Sequence, residues 1–168
     1  MIKPWAAPSM GINASSAVKT TLREAAERGW SESYLVQQLR ELVPLDERRR
    51  RALVNYRRKL RADGVPPLRA DVLSKKYAKK LKTDRARAIA RTETAKAQTE
   101  ARHEAWGIND GAYVVRRWVS KPGACVICQA LHGQTRTGAT QYGVIPGPPS
   151  HPNCRCHEEV IISDRIEL

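Results

Sequence analysis

All four cysteines of this chain lie in its last third. Two form the knuckle Cys125-Val-Ile-Cys128, and two close the string His151-Pro-Asn-Cys154-Arg-Cys156. Thiolates with two residues between them can turn toward one ion, and His151 and Cys154 repeat that spacing, so the pattern is that of a tetrahedral, structural zinc site clamping two turns together. Cys125, Cys128, His151, Cys154 and Cys156 are five candidates for four places. Cys154 and Cys156 leave an extended backbone on the same face, so both can bind and displace His151. His132 and His157 are further and weaker candidates. A catalytic zinc would need an open coordination place and a nearby base, for which Glu158 or Glu93 are available, but a thiolate-rich set favours a closed site. The plain alternative is four reduced cysteines packed as small apolar residues.

Such ligands need elements to hold them apart and bring them back. The 168 residues contain no Phe and only 5% aromatics within 41% apolar residues, a lean composition that suits close helix packing. Ser16 can cap a helix running to Arg28 and stopping at Gly29. Ser31 can cap a second, with Leu35, Leu39, Leu42 and Val43 on one face and Pro44 at its end. Asp46 opens a third, with Leu53, Val54, Tyr56 and Leu60 expected on its buried side, closed by Gly64 and Pro66-Pro67. A fourth is expected from about Leu68 to Leu81. Asp84 is read as the cap of a fifth, ending at Trp106 and Gly107, with Ala86, Ile89, Ala90, Ala97, Ala101 and Ala105 as a small-residue stripe. Residues 112–119 read as a strand, 133–149 as a loop with room for a short hairpin, and 158–168 as a strand returning beside 112–119. The fold class expected is α+β, mainly α: a basic helical arm over 1–67, then long helices over 68–106 and a zinc-stapled module over 112–168.

Charge divides the chain in the same way. Residues 1–120 hold 26 Lys and Arg against 13 Asp and Glu, and residues 121–168 hold four of each, so the whole net charge of +13 lies upstream. Arg48, Arg49, Arg50 and Arg51, then Arg57, Arg58 and Lys59, then Lys75, Lys76, Lys79, Lys80 and Lys82, with Arg85, Arg87 and Arg91, recur along the expected helices. They wrap more than one helical face. Such a surface can bind duplex DNA without sequence preference or dock an acidic protein, and its bland reading is a solvated helix surface. Neither a secretory leader over Met1–Ala14 nor an 18-residue apolar span is recognisable, so a reducing cytosol is the expected folding compartment, where clustered cysteines favour metal over disulfides.

Several strings carry a resemblance: Ala90-Arg-Thr-Glu-Thr-Ala95, Gly107, Trp118, Cys125-Val-Ile-Cys128-Gln-Ala-Leu-His-Gly133 and Pro148-Pro-Ser-His-Pro-Asn-Cys-Arg-Cys156. In that order, over about residues 70 to 160, the chain resembles the Mu F-like phage head morphogenesis family. The resemblance implies a Mu F-like domain over 68–168 and a minor capsid protein of a tailed phage. It further implies a location inside the capsid near the portal, assembly in the host cytoplasm, several copies per virion and metal on the cysteines and histidines. Implied partners are the portal, the major capsid or scaffolding protein, and packaged double-stranded DNA; no membrane is implied. Many members are longer, some fused to portal, protease or toxin segments, and activities of such segments are not expected of these residues. Arg91 and Glu93 fall within the resemblance. They leave different helical faces, so each is expected to reach across to the metal module or another helix in a structural role.

Two other classes compete. A metal-dependent nuclease would want a histidine among polar groups at a phosphate pocket, and His151 between Ser150 and Pro152 fits that poorly. A zinc-stabilised DNA-binding regulator is a third reading, though neither a helix-turn-helix nor finger spacing is present. The expectation is a non-enzymatic virion protein with structural zinc, to which the metal would contribute about 10 to 16 kcal/mol of folding free energy.

Overall fold

The first three expected helices form within a residue or two of their expected bounds. The computed structural model of the chain describes residues 16–108, 114–138 and 140–162, which divide into two compact units, the chain passing from one to the other between Ala90 and Arg91. In the first unit α1 spans Ser16–Glu27 and α2 spans Glu32–Leu42. Ser31 caps α2, its hydroxyl accepting from the Tyr34 amide at 3.3 Å. Val18, Leu22 and Ala25 are buried on α1, and Leu35, Val36 and Leu39 on α2, the two helices packing against each other. Asp46 caps α3, Glu47–Ala62, accepting from the Arg49 amide at 2.9 Å.

Two expectations fail here and a third holds only in part. On α3 only Leu60 is buried; Val54 is 54% exposed, and Leu53 and Tyr56 are half-buried. Tyr56 is occupied by a ring contact with Tyr77 at 4.5 Å between centroids. The helices expected at 68–81 and 84–106 are one helix, α4, Pro67–Ala105, 39 residues and about 58 Å long. Asp84 is not a cap. Neither Gly nor Pro stands between Leu81 and Asp84, Thr83 satisfies its hydroxyl on the Lys79 carbonyl at 3.0 Å, and Asp84 pairs with Lys80 at 2.6 Å one turn back. The small-residue stripe is buried at Ala86, Ile89 and Ala90, whereas Ala101 and Ala105 are exposed.

The second unit begins on the same helix at Arg91. It carries a three-stranded antiparallel sheet, in the order β2-β1-β3, from β1 (Val115–Val119), β2 (Thr135–Thr137) and β3 (His157–Ile162). The returning strand expected near the C-terminus is β3: Val119 opposes His157, Trp118 opposes Glu158 and Arg117 opposes Glu159. A six-residue helix, α5 (Val126–Leu131), starts at Cys125. Trp118, Cys128, Leu131, Tyr142, Cys154 and Cys156 form one buried cluster, so three of the four sulfurs sit in the core of this unit. The expectations for Met1–Ala14 and for the end of the last strand, Ile166 included, lie outside the described residues.

Candidate metal centre

Each half of the cysteine pattern is presented by a short, locally determined element. Lys121-Pro122-Gly123-Ala124 is a tight turn closed by the Ala124 amide on the Lys121 carbonyl at 3.0 Å, with Pro at its second position and Gly123 at φ 72° at its third. That is the pattern of a type II turn, in which only glycine takes the third position without strain. It delivers Cys125 to the start of α5, and Cys128 follows one turn later on the inner side of that helix. The second half is a turn in which the Cys154 amide donates to the His151 carbonyl at 3.2 Å and Asn153 takes φ 62°.

These turns converge. His151 Nε2 lies 3.4 Å from Cys125 Sγ and 3.3 Å from Cys128 Sγ, and Cys128 Sγ lies 3.8 Å from Cys154 Sγ. All five expected ligands fall into two triads that share Cys128: Cys125, Cys128 and His151, and Cys128, Cys154 and Cys156. A tetrahedral ion with metal–sulfur bonds of about 2.3 Å separates its sulfurs by about 3.8 Å and a sulfur from an imidazole nitrogen by about 3.5 Å. The observed spacings match. His151 is also oriented as a ligand, because its Nδ1 faces the Pro152 carbonyl at 2.9 Å, which leaves Nε2 to accept a metal.

The thiols differ in their environments. Backbone amide donation around Cys128 and Ile127 holds the exposed Cys125 thiol below its usual value. Burial pushes Cys128 up to about 12. Burial works the same way on Cys154, but amides of Cys156 and Ser150 outweigh it and lower that thiol. Burial by itself disfavours the Cys128 thiolate. A divalent ion would reverse it, since a coordinating thiol is deprotonated outright. Trp118 Nε1 is buried in the same cluster with no protein acceptor, a donor suited to a thiolate's charge. The residues present therefore fit a metal ion.

His132 and His157 lie outside both triads. The His132 ring accepts from the Ser120 amide at 3.1 Å, and His157 sits on β3 opposite Val119. Glu93 is buried and pairs with Lys96 at 3.2 Å, its other oxygen having no partner, while Arg91 lines the cleft beside Cys125 and His151. Between them Thr92 accepts from the Asn153 amide at 2.8 Å, tying the helix to the metal turn. Further along α4, Thr99 donates to the Pro148 carbonyl at 2.8 Å and His103 meets Glu158 at 2.6 Å. Residues 92, 99 and 103 lie on one helical face, so a single stripe of α4 docks the C-terminal module.

One buried pair escaped sequence reasoning. Arg116 and Glu158 are bonded at 2.5 Å, both almost wholly buried, and Arg116 also reaches the carbonyls of Gly138 and Thr140. Burial alone would raise the Glu158 pKa, yet His103 and Arg116 hold it below the usual carboxylate value. The available signal was Arg116 on the Trp118 side of an alternating strand. A model of the family described as phage Mu protein F like protein matches residues 16–159.

The chain belongs to the phage Mu protein F-like family. No curated protein and no solved structure matches it. The family match begins well before the strings that carry the resemblance, taking in the helices of the first unit as well as the metal turns. The basic residues of this Mu F-like chain stand mainly on exposed helix surface, many of them partnered. Arg49 bonds Asp46, Arg50 and Arg51 pair with Glu47, Lys75 with Asp71, and Lys80 with Asp84. Arg48, Arg58, Lys76, Lys79 and Lys82 make no ion pair among the described residues. Among those residues, too, no helix is long and apolar enough to cross a membrane.

Proposed function

We propose that the chain is a minor head protein of a tailed phage, anchored by a structural zinc module and meeting portal or scaffold and packaged DNA through its basic helices. Membership in the Mu F-like family, which covers 16–159, supports a role in phage head morphogenesis and a location in the virion, and is the observation that carries this reading. Portal proximity, assembly in the host cytoplasm and the identity of the metal as zinc belong to the proposal. For zinc, the support is a sulfur-rich set with tetrahedral spacing, since thiolates with imidazole select zinc among the common divalent ions. For DNA and acidic partners, it is the net charge of +13, all of it upstream of residue 121.

No residue in this reading turns over substrate. Glu158, the nearest carboxylate in sequence to the metal turn, has its oxygens committed to Arg116 and His103, which supports a structural rather than a proton-transferring role. The deciding experiment is to probe purified particles of the source phage for this chain by mass spectrometry. Its presence in DNA-filled heads, at fixed copy number, is the expected result; its absence from heads with abundance in the host extract overturns the reading. Duplex DNA retention should fall by several orders of magnitude between 50 and 200 mM salt if about 6 to 10 phosphates are contacted.

A further inference from the structure

In the helical unit one face of α4 stands bare. Tyr77 turns toward α3 and meets Tyr56 there, and on the same side of α4 Ser74 and Leu81 are buried. At about 100° per residue, Leu68, Val72, Lys75 and Lys79 leave the helix roughly 140° to 180° away from Tyr77, on its opposite side. All four stand in solvent: Leu68 is 87% and Val72 65% exposed, and both lysines are exposed. Val54, the strongly exposed apolar residue of α3, leaves that helix about 160° from Tyr56 and so belongs to a different surface.

Spacing and charge together limit what this stripe can meet. Residues 68, 72, 75 and 79 recur at i, i+4, i+7 and i+11, the seam along which one helix packs on another. A helix face that is merely solvated carries polar residues on such a seam, whereas this one opens with two branched apolar side chains one turn apart. Its remainder is cationic. Lys75 pairs with Asp71 at 2.7 Å, both groups exposed, while Lys79 and the flanking Lys76 make no ion pair among the described residues. A second copy laid on this stripe would set Lys79 against Lys79 if parallel, or lysine against leucine if antiparallel. Duplex DNA would answer the lysines and leave Leu68 and Val72 without a partner. A helix that is apolar on one turn and acidic on the next two satisfies both halves.

We propose that the face of α4 formed by Leu68, Val72, Lys75, Lys76 and Lys79 is the docking site for an acidic amphipathic helix of another protein. Leu68 and Val72 anchor the apolar turn of that helix, and the three lysines meet its carboxylates. This site deepens the proposed function, on which it rests for the presence of a protein partner. It also separates two roles of the basic helices: this face of α4 takes protein, and the arginines of α3 are left for phosphate.

The test titrates the full chain, by fluorescence anisotropy, with synthetic helical peptides of about 18 residues. Each carries two leucines one turn apart and glutamates on two neighbouring turns of the same face, one peptide with the apolar turn first and one with it last. One of the two should bind, and a scrambled peptide of the same composition should not. Leu68→Glu and Val72→Glu should each weaken binding about tenfold or more with the chain's circular dichroism unchanged, since both positions are exposed. Neutralising Lys76 and Lys79 together as glutamines should weaken it by about as much and flatten its salt dependence, and Val54→Glu on α3 should leave it unchanged. Equal binding of the scrambled peptide, or binding indifferent to Leu68→Glu, would show charge attraction alone and overturn the docking site. So would Leu68-dependent self-association, or Leu68-dependent binding to phosphatidylserine vesicles, in place of peptide binding. Duplex retention that needs Lys76 and Lys79 but ignores Leu68→Glu, with no peptide bound, would overturn the site while sparing the DNA reading. Absence of the chain from phage heads, with peptide binding intact, would overturn the head-protein reading and leave the docking site standing.

Discussion

The two units of this chain solve the same problem, too few large apolar residues, in opposite ways. The first, over the described residues 16–90, uses local order: helices with hydrogen-bonded caps at Ser31 and Asp46, thin apolar contacts such as Leu22, Leu35 and Leu39, and ion pairs one turn apart. The second, over 91–162, has little helix beyond its share of α4 and a three-stranded sheet, and it places three cysteines and a charged pair in its interior. One unit is held by many weak local terms. The other depends on a few strong non-local ones, and that difference sets where each is vulnerable.

The largest expected effect is metal removal. Chelation, or Cys128→Ser at the residue shared by both triads, should unfold the sheet unit, since structural zinc contributes about 10 kcal/mol or more to such sites. Hydrogen exchange is the measure. Amides of β1, β3 and α5 should lose protection while those of α2 keep theirs; equal loss in both units would erase the contrast. Next comes the buried pair. Arg116→Met or Glu158→Gln leaves a buried group without its partner and should cost about 3 to 5 kcal/mol in denaturant unfolding. A cost below 1 kcal/mol would mean that solvent reaches the pair.

How much of this was legible beforehand follows the same division. Caps, stops and most of the apolar face of α2 are written in residues close in sequence, so Ser31, Asp46 and Gly64 could be read directly, whereas Leu42, expected on that face, is exposed. The cluster of candidate ligands was legible because sulfur and imidazole have few other reasons to recur at that spacing. The break expected at Asp84 failed because aspartate serves equally as a cap and as an i,i+4 partner, and only the absence of Gly or Pro nearby separated the two. Val54 was misassigned for a related reason: periodicity marks a face but not whether anything covers it. Arg116 with Glu158 was hidden because the two are 42 residues apart and meet only once β1 and β3 pair.

In the helical unit a core truncation should be smaller in effect and confined. Leu39→Ala, at a fully buried position of α2, should cost about 2 to 5 kcal/mol, with zinc content still one per chain. Zinc loss in that variant would couple the units more tightly than their separate cores imply.

The smallest effect tests whether local terms carry the first unit at all. Asp46 accepts from the Arg49 amide as the cap of α3 and also pairs with Arg85 of α4 at 2.9 Å, so one carboxylate both starts a helix and joins it to another. Partial burial would raise its pKa, but the hydrogen bonds and charge of Arg49, with the charge of Arg85, lower it below 3.8. A pKa depressed in the folded state means that its stabilisation is present in full above the unfolded value, about 3.9, and fades as pH falls through the folded one. Asp46→Ala should therefore cost about 1 kcal/mol at neutral pH, read from amide exchange in α3. Asp46→Asn, which keeps the cap and loses the charge, should cost less, and its deficit should shrink as acid protonates the wild-type carboxyl. Thiolate protonation releases the metal in the same acid range, so exchange confined to α3 is the proper readout, and a deficit that grows on acidification would contradict the pairing with Arg85.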